Sequence, residues 1–399
     1  MRLLRKPSND EFYGILEFLS DFINYLKESR VLKRQVFSLI FIVWARFFGL
    51  FVILPVLSAY ASGEAWQIGL AVGAYALSQI IFAAPFGHLS DKIGRKKALA
   101  LGIAIYGLGS VLCAIFSDSI YLLILGRFIQ GAGAVGAVAS AFIADIVPEN
   151  SRSKYMALLG MGVGMAFVIA MISSPIIASY LGLSALFWLC ALLCVISAVI
   201  LLGLAEPEKH EHNETTTTYE LIKNKNVRIL SLSNFFQKMF LNAFFVSIGL
   251  VLVGQMGFER ASLWQIYALC AVFGFFSMGV AGFLGDAKGK AKELFFASVI
   301  IFALSLLVFL ISPSFENILF AFVGAVLFFI AFSLQEPILQ SQMSKLTKAK
   351  RGAALGVLNA CGYGGSFVGS LLGASYFAPY VMLALCVLWV LMLAKLDRI

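Results

Sequence analysis

GHLSDKIGRKK at residues 87–97 and GFLGDAKGKAK at residues 282–292 are two copies of one segment. Gly87 matches Gly282, Leu89 matches Leu284, Asp91 matches Asp286, Gly94 matches Gly289 and Lys97 matches Lys292, while Arg95 becomes Lys290. Each pair is 195 positions apart (87 to 282) in a chain of 399, close to half its length. Working outward, each copy follows the second of six apolar runs. The chain is 61% hydrophobic and 13% charged, against roughly 45–50% and about 25% for a soluble domain. A membrane-spanning helix takes about 20 apolar residues, so twelve would use about 240, nearly the whole apolar inventory. This composition excludes a soluble enzyme, a secreted disulfide scaffold and a disordered chain. The six cysteines all lie inside apolar runs without a C-x-x-C spacing, which is how cysteine is used as a small hydrophobe.

The apolar runs predict spans over 37–60, 68–89, 98–116, 119–146, 155–181, 184–204, 229–254, 262–284, 293–312, 315–342, 352–377 and 379–394. Irregular backbone cannot face lipid, so each is expected to be helical. The expected fold is an all-α membrane protein of twelve transmembrane helices in two six-helix halves, 37–204 and 229–399, joined by a polar linker over 205–228. Of the 30 Lys and Arg residues, 26 fall in the termini and alternate loops on one side, and one, Arg260, on the other. By the positive-inside rule both termini and the linker are expected in the cytoplasm. The net charge of +9 is thereby a topological signal, and no nucleic-acid partner is expected. Within 1–36, Ser8-Asn9-Asp10-Glu11 reads as a capping box. Phe12, Ile15, Leu16, Leu19, Phe22, Ile23 and Leu26 share one helical face behind it, flanked by basic residues. That stretch reads as an amphipathic helix, lying either on the membrane surface or on the protein's own cytoplasmic loops.

A half-chain repeat with an even number of spans per half sets both halves in the same orientation. That is the parallel-repeat plan of secondary transporters, which bind substrate near the midplane between halves. Charge inside a membrane costs roughly 2.5–3.5 kcal/mol at mid-helix, which makes each such residue a functional candidate. Arg46, Arg127 and Lys238 are the cations within spans, candidates for a cavity or charge relay or, alternatively, for helix-holding ion pairs. Glu336 is the acid within a span, and Asp145 lies a turn from the end of another. No histidine lies deep in a span, so a carried proton would have to sit on a carboxylate, and Asp145 and Glu336 are the candidates. Three cations against one or two acids lean the substrate toward neutral or anionic small molecules. Gly131-Ala-Gly-Ala-Val-Gly136 spells a dinucleotide fingerprint, but without a preceding strand it reads as close helix packing. Gly365, Gly369 and Gly373 repeat that logic. Phe235, Phe236, Phe240, Phe244 and Phe245 read as a mixture of lipid contact and cavity wall. Met161, Met165, Met171 and Met239 suit adaptable binding and ordinary packing equally. His210 and His212 read as a solvated linker rather than a metal site.

GHLSDKIGRKKAL at 87–99 closely resembles the loop between spans two and three of the major facilitator superfamily. LILGRFIQGAGAV at 123–135 resembles that superfamily's fourth-span signature, with Arg127, Gln130, Gly131 and Gly133 in place. FGLFVILPVL at 48–57 is similar to the first-span pattern of its twelve-span drug:proton antiporters. The fifth-span antiporter signature departs from the family, surviving as Ser174-Pro175 followed by Ala178-Ser179. The resemblance implies a non-enzymatic carrier that exports small molecules or drugs across a bacterial inner membrane in exchange for protons. It would work by alternating access, as a monomer, with no cofactor beyond the proton gradient. A proton symporter or uniporter of the same fold, and a non-transporting membrane sensor, stand as alternatives. The resemblance also implies a conformational switch at Gly87, Asp91, Gly94, Arg95 and Lys96. In it, Asp91 would cap the start of span eleven near Arg351-Gly352 and Arg95 would pair with Asp145, holding the outward-facing state. The bland alternative for the basic residues is topology enforcement.

Overall fold

The computed structural model describes residues 30–148, 151–206, 218–311, 318–347 and 351–396. Among them there is no strand, and nearly everything is helical. In chain order the helices are α1 Arg30–Phe51, α2 Leu54–Tyr60, α3 Ala65–Ile93, α4 Arg95–Ile115, α5 Ile120–Ala132, α6 Val135–Ile146 and α7 Arg152–Leu202. There follow α8 Thr218–Lys223, α9 Lys225–Gly249, α10 Leu263–Val280, α11 Ala291–Ile311, α12 Ile318–Leu346, α13 Arg351–Gly373 and α14 Ala378–Ala394. π-Helical turns extend α9 over Leu250–Gln255 and α10 over Ala281–Ala287. Nine helical stretches among the described residues are long and apolar enough to cross a membrane, and α5 and α14 are shorter apolar helices.

The elements depart from the predicted spans where glycine and proline let the backbone turn. The span expected over 119–146 is two helices, because Ala134 sits in the left-handed region at φ 39° between α5 and α6. The glycines around it allow close packing: a Cβ on Gly131 would strike the Tyr75 carbonyl, and one on Gly133 the Gly102 carbonyl. The Gln79 amide donates to the Gly131 carbonyl at the break. Conversely, the spans expected over 155–181 and 184–204 run together as α7. They are separated only by Gly182 at φ 78°, a conformation that costs little without a Cβ. The first span is divided between α1 and α2, with Pro55 in the first turn of the second piece. The linker is helical toward its end, since α8 and the start of α9 lie within 205–228. Asn224 starts α9 by accepting from the backbone N–H groups of Asn226 and Val227, the usual N-cap arrangement. The amphipathic helix expected in the first segment, and His210 and His212, lie outside the described residues.

The sequence repeat is also a packing repeat. In the first half α1 packs on α7, α3 on α5, and α4 on both α5 and α7. In the second, α9 packs on α13, α10 on α12, and α11 on both α12 and α14. Lipid tails are as apolar as leucine, so such packing is driven by close van der Waals fit rather than by expulsion of water. Gly365, Gly369 and Gly373 provide that fit, for a Cβ on each would collide with the backbone of Phe235, Met239 and Ala243 in turn. Of the α9 phenylalanines expected to mix lipid contact with cavity wall, Phe236, Phe240, Phe244 and Phe245 are buried within the half and Phe235 is partly exposed. Phe244 stacks on Phe328, while Phe240 meets Phe302 and Trp389, and Phe245 meets Phe329, edge-on. Ring pairs of this kind each contribute roughly 0.5–1.5 kcal/mol beyond area burial.

The two halves join through α3 on α13, α7 on α10, and α2 on α9. The named contacts lie between mid-span and the end remote from the basic loops. There Ser58 Oγ donates to the Phe245 carbonyl at 2.7 Å and the Tyr267 hydroxyl to the Pro55 carbonyl at 3.0 Å. Gly69 leaves room for the Ser370 backbone, and at mid-span Phe167 meets Phe329 and Phe332. Toward the basic end, Gly356, Asn359 and Ala360 of α13 are exposed, as are Met161 and Met165 of α7.

Candidate functional site

The ionisable residues of the spans fall into three groups. The first lies at the basic end, where Gly94 (φ 97°) lets α3 stop and α4 begin at once. Arg95, the first residue of α4, reaches α6, and its Nε donates to Asp145 Oδ2 at 2.7 Å. Its Nη1 contacts Asp91 Oδ1 at 2.6 Å and donates to Ser90 Oγ at 2.5 Å. Ser90 donates in turn to the Gly87 carbonyl. Arg95, Asp145 and Asp91 therefore form one network whose described members all lie in the first half. Asp91 turns back onto Arg95, while the side chain of Arg351, its expected neighbour together with Gly352, is outside the described residues. Gly87 has open space where a Cβ would stand.

Lys96 has a different task from Arg95. Its Nζ donates to the carbonyls of Leu202 at 3.0 Å and Leu204 at 2.6 Å, closing the end of α7. Its backbone N–H is bound at 3.2 Å by both oxygens of Glu206, a carboxylate at a helix start where the dipole favours it. In the second half Lys292 donates to the carbonyls of Ala394 and Leu396 at the end of α14. Lys96 and Lys292 are each the second residue of their helix. The sequence repeat pairs Lys292 with Lys97, which is exposed. The structure pairs it with Lys96, because one more residue separates the left-handed Gly289 from its helix than separates Gly94 from α4. Glu206 and Ser90 carry no signal in the sequence beyond their polarity.

The second group is mid-span in the second half. Lys238 Nζ on α9 donates to Glu336 Oε2 on α12 at 2.7 Å, and both side chains are about a quarter exposed, 23% and 27%. The ammonium also lies 5.0 Å from the Phe332 ring centre. Neighbouring amides brace the pair: Asn242 donates to the Lys238 carbonyl at 3.0 Å, and Gln237 to the Phe332 carbonyl at 3.1 Å. Pro337, directly after Glu336, lies inside α12 and removes one backbone donor there.

The third group is cationic without a carboxylate. Arg127 on α5 is fully buried, and its Nη1 donates to Gln130 Oε1 at 2.5 Å. Gln130 donates on to Ser110 at 2.9 Å, while Nε and Nη2 of Arg127 have no hydrogen-bond partner among the described residues. Arg46 on α1 is 5% exposed, and neither of its Nη atoms makes a hydrogen bond of ordinary geometry. Both guanidinium groups face the Tyr75 ring, at 5.5 Å for Arg46 and 4.9 Å for Arg127, and Arg46 lies 4.3 Å from the Phe47 ring. Cation–π contact of this kind offsets part of the desolvation. Tyr363, on α13 of the other half, is close enough to Arg46 to interact with it. The charged residues within or near spans thus form two acid–base pairs, Arg95–Asp145 and Lys238–Glu336, while Arg46 and Arg127 share contact with the Tyr75 ring.

Known proteins resemble this chain in sequence and fold. The family model described as Major Facilitator Superfamily matches residues 36–370. The inner membrane transport protein YajR of Escherichia coli (strain K12) is 35% identical over 356 residues, 86% of this chain and 77% of that protein. The class E tetracycline resistance protein of Escherichia coli is 30% identical over 297 residues, 66% of this chain and 69% of that protein. In fold, the crystal structure of a D-xylose–proton symporter superposes with a TM-score of 0.75 at 16% identity, covering 91% of this chain and 98% of the other.

Proposed function

The chain belongs to the Major Facilitator Superfamily, and from that premise we propose that it exports small molecules across a bacterial inner membrane in exchange for protons. Membership makes it a multi-pass membrane transporter; the drug-like substrate, the proton coupling and the cytoplasmic placement of both termini are our reading. The likeness to a tetracycline resistance protein supports the export direction. The observation that carries the coupling is the Lys238–Glu336 pair, a carboxylate about a quarter exposed and held at 2.7 Å in the middle of an apolar span. A proton arriving on Glu336 dissolves the ion pair and frees the Lys238 ammonium. That changes the electrostatics at the midplane, where alternating-access carriers bind substrate. Carrying one proton inward down the membrane potential supplies about 2.3 kcal/mol per 100 mV. No cofactor enters this scheme, nor any bond-making chemistry by the chain.

We read the arrangement as the state open toward the basic, cytoplasmic end, because the halves meet from mid-span to the far end. The Arg95–Asp145 pair is formed in this state. Its described partners all lie within one half, where it fixes α4 against α6. Asp145 is on this reading a brace, and Glu336 the proton site. Arg46, beside Tyr363 of the other half, supplies positive charge at the interface and favours neutral or anionic substrates. A symporter of the same fold is the second reading, favoured by the fifth-span departure at Ser174-Pro175, where Ser174 is fully buried on α7.

Inverted membrane vesicles with an imposed proton gradient and a pH-sensitive dye test the proposal. Proton release on adding a substrate from a panel of neutral, anionic and cationic compounds, lost in Glu336→Gln, is the expected result. Uptake of labelled compound into intact cells, without release from vesicles, would replace antiport by symport or uniport.

A further inference from the structure

A groove of about 230 Å³ opens at the basic end of the second half, where the start of α9 meets the end of α14. Among the described residues its walls are Lys225, Arg228, Ile229, Leu232, Met392 and Lys395, three cations and three apolar side chains. Their order along the helices is directional. α9 begins at this end, so Lys225 and Arg228 precede Ile229 and Leu232 on the way inward. α14 finishes there, so Met392 precedes Lys395 on the way out. Both helices therefore set charge at the water side and apolar surface toward the bilayer. Lys225 to Leu232 spans about 10 Å at 1.5 Å per residue, the depth over which a phospholipid passes from phosphate to acyl chain. Leu232 is 46% exposed, and Leu388 and Leu391 continue the exposed apolar face along α14.

We propose that this groove binds an anionic phospholipid, its phosphate between Arg228 and Lys395 and its first acyl carbons over Leu232 and Met392. Basic recesses between helix ends on the cytoplasmic side suit such headgroups. The N-terminus of α9 adds a favourable dipole. The C-terminus of α14 would oppose an anion, but Lys292 already occupies the carbonyls of Ala394 and Leu396. The corner of the first half where α7 ends differs, since Glu206 stands there. The exposed apolar floor is what selects a lipid over free phosphate, which gains nothing from Leu232 or Met392.

Native mass spectrometry of the full chain, equilibrated in detergent with equal phosphatidylglycerol and phosphatidylethanolamine, reads the site directly. Phosphatidylglycerol is expected to be retained preferentially. Arg228→Gln and Lys395→Gln should each lower its retention about fivefold, the value of one basic residue near an anionic surface, and leave phosphatidylethanolamine unchanged. Arg228→Lys, which keeps the charge, should retain the lipid and so separates loss of the site from loss of the fold. Equal retention of the two lipids, or retention unmoved in the doubly substituted protein, overturns the proposal. Displacement of the lipid by inorganic phosphate would overturn it in favour of a free-anion site.

Discussion

The two halves of the molecule share their packing and differ in their electrostatics. On α7, Ala170, Ser174 and Ala178 are buried at the positions that Gly365, Gly369 and Gly373 hold on α13, each pair again 195 apart. Lys96 and Lys292 clamp corresponding helix ends. Those are the features that any six-helix half needs in order to fold in lipid. The charges do not repeat. The first half holds a braced ion pair at the water edge and two buried guanidinium groups, while the second holds one ion pair in mid-membrane. The close helix packing is kept twice, and the charged side chains are divided between the halves. The sharpest way to break this comparison is to exchange the roles of the two carboxylates. Glu336→Gln is expected to abolish proton-driven flux in vesicles while the protein still melts cooperatively in detergent. Asp145→Asn should leave flux measurable and cost about 1–2 kcal/mol of stability, as expected for a hydrogen-bonded, partly buried pair. The reverse pattern would place the proton in the first half.

Much of this division was legible in the sequence, and the reasons are physical. A helix is the only answer to twenty apolar residues in lipid, so the class followed from composition. The 87–97 and 282–292 copies marked the repeat before any coordinate did. Arg95 with Asp145 followed from the family resemblance, since nothing local links residues 50 apart. The pairing of Lys238 with Glu336, 98 residues apart, was not legible, because it depends on how α9 faces α12. Which of the α9 phenylalanines face inward was hidden for a related reason. When lipid and core are equally apolar, hydrophobicity does not tell one face from the other. The break at Ala134 escaped because its glycines read equally well as a smooth close-packed helix.

The packing side of the comparison is tested by side-chain volume. Gly369→Val drives two methyl groups into the Met239 backbone, and should cost about 3 kcal/mol or more, seen as loss of folded protein after detergent extraction. Ser174→Val, at the matching position, should cost about 1–2 kcal/mol, because a Cβ is already accommodated there. Gly356→Ala on the same helix as Gly369, where a Cβ meets nothing, should raise the melting temperature, since alanine in a helix is favoured over glycine by up to about 1 kcal/mol. If Ser174→Val proved as damaging as Gly369→Val, the first half would have no more room at this contact than the second, and the Cβ at Ser174 would not mark a looser fit.

The smallest expected effect concerns the lysine clamps. Lys96 Nζ serves two carbonyls at the end of α7, and Lys292 Nζ two at the end of α14. Replacing either by Met keeps the stem and removes the donors. Water at the basic end can take over part of the bonding, so each change should cost only about 1 kcal/mol. The two should be similar in thermal melts and should leave proton-driven flux within about twofold of the parent. Equality would show that the second residue of the third span performs one folding task in both halves, with the register shift after Gly289 absorbed by the loop. A loss of flux confined to Lys96→Met would instead tie that lysine to the Arg95 network, and with it return the switch to the first half.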